Sequence, residues 1–128
     1  MSMRSLNMEE GDGPCQVNVR VVPIGEDLVV MIWGGDKPHV GAVAIGIPRP
    51  SLENPAIASS TTSVYALLGH KEDGLAKMMA DKIASVLERN VVVTAGIHID
   101  NISLEEIKEI ENNCGRILKR LISSCMAK

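Results

Sequence analysis

The sequence predicts an α/β domain of the α+β kind: a mainly antiparallel or mixed sheet of about five strands, with two helices packed on one face. Three observations lead there. Gln16–Val22 alternates strictly between polar and apolar residues, the mark of a strand with one buried face. Two later segments, Leu75–Arg89 and Ser103–Met126, carry apolar residues at helical spacing. The elements run strand, strand, strand, strand, helix, strand, helix, an order that suits helices gathered on one side of a sheet.

Each element has its own reason. In the first strand Val17, Val19 and Val21 point one way, and Gln16, Asn18 and Arg20 the other. Residues 23–27 form a turn around Gly25. Leu28–Trp33 is an unbroken apolar run, as expected of a strand covered on both faces. His39–Ile47 reads as a third strand thinned by Gly41, Ala42, Ala44 and Gly46, and glycine inside a strand marks close approach of another backbone or a ligand. Three prolines make Pro48–Ser60 a loop and the expected place for a mobile flap. Thr61–Leu68 is the fourth strand, and residues 69–74 are a polar break. The first helix carries Leu75, Met79, Ile83, Val86 and Leu87 on one face. In the strand Val91–Ile99, one face is Val91, Val93, Ala95, Ile97 and Ile99, while the other is Val92, Thr94, Gly96 and His98. Ser103 and Glu106 form a capping box, which opens a helix with the stripe Ile107, Ile110, Cys114, Ile117, Leu121 and Cys125. Helices on one face leave the other in need of cover, from a second copy or from the proline-rich loop.

A chain of 128 residues fits one domain. Residues 1–14 are expected as a flexible tail and 15–128 as the domain. With one Trp, one Tyr and no Phe, the core is built from aliphatic side chains and Met. A net charge of −3 and so few aromatic rings exclude a general nucleic-acid binder. Cys114 and Cys125 lie on one helix, about 16 Å apart, too far for a disulfide, and the alternative of a bridge to Cys15 leaves an odd thiol. Reduced thiols, a charged N-terminal dozen without an apolar run, and no stretch of about 20 apolar residues point to a cytoplasmic protein without a membrane span.

Chemistry gathers in three breaks. In Gly34-Gly35-Asp36-Lys37-Pro38-His39-Val40-Gly41 the glycines let backbone N–H groups approach an anion, and Lys37 adds a cation; the bland alternative is a braced turn. Thr94, Gly96, His98, Asp100 and Asn101 stand where a strand leads into a helix N-terminus, a natural ligand mouth; alternatively, Asp100 satisfies His98 and Asn101 shapes the turn. His70 and Lys71 precede a helix and otherwise read as a solvated cap. All three histidines fall in these breaks. With Asp100 they allow a small metal-dependent enzyme, although no paired-histidine spacing supports one. No nucleophile motif is present. A subunit that assembles with other proteins and takes no small ligand is a further alternative.

Three segments, in order, are similar to one family. Trp33-Gly34-Gly35-Asp36-Lys37-Pro38-His39-Val40-Gly41 resembles its glycine-pair, Pro-His, Gly pattern. Gly69-His70-Lys71-Glu72, with Leu75-Ala76-Lys77-Met78-Met79, resembles its His-Lys-acid helix start. Thr94-Ala95-Gly96-Ile97-His98 resembles its Ala-Gly-Ile-His strand end. The family is the LpdD-like prenylated flavin chaperones, the small D subunits of UbiD-type gallate and vanillate decarboxylases. The chain ends sooner after its last helix than the decarboxylase-associated members do. The resemblance implies a non-catalytic homodimer that binds prenylated FMN, or FMN itself, and helps to mature the cofactor or deliver it to a UbiD-type decarboxylase. It implies Gly34, Gly35, Lys37 and Lys71 at the phosphate, and Trp33, His39, Thr94 and His98 at the ring system, with Tyr65 the alternative to Trp33 as the stacking ring; Gly41, His70, Gly96 and Asn101 complete the site.

Overall fold

The computed structural model describes residues 4–67 and 72–126, the side chains of residues 72 and 73 apart. Six strands and two helices follow in the order β1 (Leu6–Glu10), β2 (Val17–Ile24), β3 (Asp27–Gly35), β4 (Ala42–Pro50), β5 (Ala58–Ala66), α1 (Glu72–Leu87), β6 (Val91–His98) and α2 (Leu104–Met126). The strands form one sheet in the order β1-β2-β3-β6-β4-β5. It is mixed: β6 runs parallel to β3 and antiparallel to β4. Both helices lie on one face, as expected.

The alternation in the strands decides that face. Val17, Val19, Val21, Leu28, Val30, Ile32, Ala44, Val91 and Val93 are all buried against the helices. From α1 come Ala76, Met79, Ala80 and Ile83, and from α2 Ile110, Cys114, Ile117 and Leu121. Each fully buried Val, Leu or Ile contributes about 1.5–3 kcal/mol. The α1 backbone rests directly on β4 at Gly46, where a Cβ would stand 2.6 Å from the Ala80 carbonyl oxygen. Helix α2 begins with the expected capping box: the Glu106 N–H donates to Ser103 Oγ at 3.1 Å, and the Ser103 N–H to Glu106 Oε1 at 3.0 Å.

Two expectations are corrected. The sixth strand, β1, lies in the segment expected to fray. Leu6 and Met8 pack on the core, and Arg116 and Arg120 of α2 reach Glu10 at 3.2 and 2.8 Å. Five residues with two adjacent glutamates carry too short an alternation to read as a strand. The proline-rich loop is also shorter than expected, because β4 continues to Pro50 and β5 begins at Ala58. Pairing of β4 with β6 stops at Gly46, whereas pairing with β5 continues to Pro50. Pro48 and Pro50 therefore sit where one side of β4 has no neighbour and a missing N–H costs little.

The connection from β3 to β4 has a topological duty. Because β6 lies between those strands, residues 36–41 must cross its C-terminal end, a gap of roughly 10 Å. They pass over Gly96, where an added Cβ would lie 1.5 Å from the His39 carbonyl oxygen. The crossing is sealed by the N–H groups of Asp36 and Lys37, which donate to the His98 carbonyl at 2.7 and 3.2 Å, and by Gly41 N–H to Ala95 O at 2.8 Å.

Asp81 ties α1 to β5. Its carboxylate accepts from Ser60 Oγ at 3.0 Å, from the Thr62 hydroxyl, and from Lys77 Nζ at 2.7 Å. Burial alone would raise its pKa, but these donors outweigh burial and hold it below 3.8.

Asp81→Asn destabilises the fold by about 1–2 kcal/mol at neutral pH, a modest figure because the site is partly solvated. The folded-state pKa is depressed, so the carboxylate's contribution is present well above pH 3.8 and is lost as the pH falls below it. Urea melts of both proteins at pH 7 and pH 3 check this: the gap narrows at the lower pH. Gly96→Ala forces the crossing loop outward and costs about 1–3 kcal/mol, read as a lower midpoint in the same melts.

Candidate functional site

The crossing brings the first and third signature segments together at one end of the sheet, on the face away from the helices. Trp33, Thr94 and His98 belong to the open-face rows of β3 and β6, and the loop lays His39 over Gly96. Trp33 pairs across the sheet with Gly96 and is half-buried; its carbonyl accepts from Asn18 Nδ2 at 3.4 Å. The His39 and His98 rings meet edge to face, with centroids 6.2 Å apart. His39 Nδ1 lies 3.0 Å from the Lys37 carbonyl, which can only accept, so that nitrogen carries the proton. His98 Nε2 donates to Asp100 Oδ1 at 2.9 Å.

One ammonium, Lys37, stands among two carboxylates here, those of Asp36 and Asp100. Lys37 Nζ stands 3.3 Å from Asp100 Oδ2, with the two side chains 69% and 53% exposed. The hydrogen bond from His98, then that from Lys37, hold the Asp100 carboxyl below its ordinary range. An ion pair this exposed is weak, so Lys37 can turn to an incoming anion at small cost. Asp36, which had no expected role, accepts the Asp100 N–H at 3.4 Å and ties the two segments together. Its signal was the Gly-Gly-Asp turn itself.

The glycines have neighbours other than a ligand. Gly34 faces the core, where an added Cβ would stand 2.5 Å from the Gln16 carbonyl oxygen. Gly35, at φ +81°, leaves no room for a Cβ beside the His98 backbone. Gly41 is buried and bonds Ala95 and Leu67 through its backbone. The amides of the expected phosphate cradle that follow these glycines, Asp36 and Lys37, are already engaged with His98. Asn101 takes the left-handed conformation, φ 55°, that shapes the turn into α2. Thr94 lies between Met31 and Val43 in the sheet, nearer its centre than the loop. Tyr65 is on the same face but three strands from Trp33, roughly 14 Å away, so the two rings do not form one stacking wall. His70 and Lys71 lie outside the described residues.

The thiols take no part. Cys15, Cys114 and Cys125 are unbridged and buried. Burial pushes Cys114 up to about 12, so it stays a neutral thiol rather than a nucleophile or metal ligand. Among the described residues no group of three or more His, Cys, Asp or Glu side chains is placed to hold a metal ion. Nor, among them, is any helix long and apolar enough to cross a membrane. A groove of about 720 Å³ lies elsewhere, between β5 and α1. Its lining includes Asp81, Ser60, Thr62 and Lys77, whose polar groups already satisfy one another, so it reads as a structural seam.

Known proteins share both fold and sequence with this chain. Protein LpdD of Lactiplantibacillus plantarum (strain ATCC BAA-793 / NCIMB 8826 / WCFS1) is 27% identical over 100 residues, covering 78% of this chain and 70% of that protein. A subunit in the crystal structure of a novel chaperone complex for yeast 20S proteasome assembly superimposes with a TM-score of 0.59 over 96% of this chain and 99% of its own. At 14% identity that likeness is one of fold. The family model for the prenylated flavin chaperone LpdD-like domain matches residues 11–126. The chain therefore belongs to the LpdD-like family of prenylated flavin chaperones, a family of chaperones rather than catalysts.

Proposed function

We propose that this protein binds prenylated FMN at the end of the sheet where residues 34–41 cross β6, and helps to mature the cofactor or deliver it to a UbiD-type decarboxylase. The observation that carries the reading is the forced meeting of two signature segments at one edge of an uncovered face. A flavin joins an apolar polycycle, edged with hydrogen-bonding groups, to a phosphate. Trp33 offers the apolar flank, and the rings of His39 and His98 offer polar contacts beside it. Among the described residues, the phosphate end rests on Lys37 rather than on backbone amides. The bound flavin supplies whatever redox or covalent chemistry takes place in the decarboxylase; this chain's residues hold it and keep one face open. The assembly that goes with this reading is a cytoplasmic homodimer that meets the decarboxylase during transfer.

Titration with reduced and oxidised prenylated FMN, with FMN as a comparison, tests the proposal. Binding at micromolar concentration or tighter is expected, and no binding of any of the three sinks it. His98→Ala and Lys37→Ala each weaken binding about tenfold, the worth of one charge-assisted contact; unchanged affinity in both moves the site elsewhere. Asp100→Asn removes the carboxylate that competes with the phosphate for Lys37. FMN affinity rises severalfold in that variant, whereas affinity for riboflavin, which has no phosphate, does not. An equal change for both ligands would show that Lys37 does not meet the phosphate.

A further inference from the structure

Two amide side chains on the open face belong to none of the three signature segments. Asn18 pairs with Trp33 across β2 and β3, and Trp33 pairs with Gly96 of β6. Gln16 stands one step beyond the Val17–Gly34 pair, toward Gly35, whose partner on β6 is His98. Both alternate with the buried Val17 and Val19, so they share the face of Trp33 and His98. Both are half-buried. They border Trp33 on the side away from the two histidines.

Their hydrogen bonds run in one direction. The Glu9 carboxylate only accepts, so Gln16 turns its NH2 group to it, and Gln16 Nε2 donates to Glu9 Oε2 at 2.7 Å. The second N–H of that amide goes to Asn18 Oδ1 at 3.3 Å. Asn18 therefore turns its own NH2 group toward Trp33, and Asn18 Nδ2 donates one N–H to the Trp33 carbonyl at 3.4 Å. Two groups are left over. Among the described residues Gln16 Oε1 meets no donor, and the second Asn18 N–H meets no acceptor. An open acceptor thus stands beside an open donor, next to the only indole of the chain.

We infer that Gln16 and Asn18 read the pyrimidinedione edge of the flavin ring: Gln16 Oε1 accepts from the ring N3–H, and Asn18 Nδ2 donates to the adjoining ring carbonyl. The inference rests on the proposed function and deepens it, because it fixes which end of the ring lies where. That edge carries a donor flanked by two acceptors, the complement of the pair left open here, whereas the dimethylbenzene edge carries neither. Half-buried amides gain when a ligand that covers them brings matching polar groups, and lose when it does not. From Gln16 across Gly35 to His98 is two strand spacings, roughly 10 Å, a span that a flat tricycle bridges above Trp33. Lys37 stands beyond His98, so the phosphate arm leads away from the amides. Glu9 touches no ligand; it is a positioning residue that sets which way both amides face.

Fluorescence titration with FMN and with FMN methylated at N3 tests the inference; the prenylated forms of both take their place if FMN itself binds too weakly to titrate. The methyl group removes the ring donor and leaves Gln16 Oε1 covered but unpaired. The wild type is expected to bind the unmethylated flavin about tenfold more tightly. In Gln16→Met the two affinities become equal, because no acceptor remains to tell them apart. Asn18→Leu weakens both ligands by about fivefold and keeps their ratio, since it removes only the contact to the carbonyl. Circular dichroism checks the fold of each variant. Equal binding of the two flavins by the wild type overturns the inference, and so does a tenfold preference that survives in Gln16→Met. Should Gln16→Met fail to fold, Glu9→Gln at an exposed residue decides by the same ratio, which narrows once Gln16 is free to turn over. Binding of no flavin at all sinks the proposed function together with this inference, whereas equal binding sinks this inference alone.

Discussion

Placing β6 between β3 and β4 is the constraint from which the rest of this structure follows. Chain neighbours are separated in the sheet, so the segment joining them must pass over the strand that divides them. It passes at Gly96, the one point on that row of β6 where no side chain stands in the way. The crossing is then fixed by two N–H groups converging on the His98 carbonyl and one N–H returned to Ala95. Backbone hydrogen bonds worth about 1 kcal/mol each seem small, but they act on a loop that also carries Lys37 and His39. The position of these groups is thus set by topology and held by the main chain.

That division of labour changes what the glycines mean. Glycine-rich turns often cradle phosphate because their amides point outward. Here the amides following Gly35 point at His98, and the absent Cβ atoms make room for backbone. The chemistry therefore falls to side chains at the surface: an indole, two imidazoles and a mobile ammonium balanced by Asp100. The three cysteines are buried and add no exposed thiol to them. Such surface groups suit the reversible binding proposed for this family of chaperones.

Most of the fold was legible because its signals were periodic. Strict alternation marked β2, an apolar row on one face marked β6, helical spacing marked both helices, and Ser103 with Glu106 marked where α2 starts. Shorter or mixed signals were not legible. The strand β1 offers only Leu6 and Met8 between polar residues, and becomes a strand because β2 and two arginines of α2 receive it. The prolines of β4 look like loop residues until the sheet shows that one side of the strand is unpaired there. The site was half legible. That His39 and His98 share a location follows from the order β3-β6-β4, which no local pattern encodes. That Gly34 faces the core follows from its parity with Leu28, Val30 and Ile32, and this could have been counted in advance.

The open row of β6 shows how one strand can serve two purposes. From Val92 through Thr94 and Gly96 to His98, its character grades from apolar to polar along about 20 Å. The apolar end lies among Val29 and Ile45, where a second sheet would gain most by covering it. The polar end lies under the crossing loop, where a sheet could not pack without burying imidazoles and an ion pair, a cost that apolar contact would not offset. Thr94 stands at the boundary, with a methyl for one environment and a hydroxyl for the other.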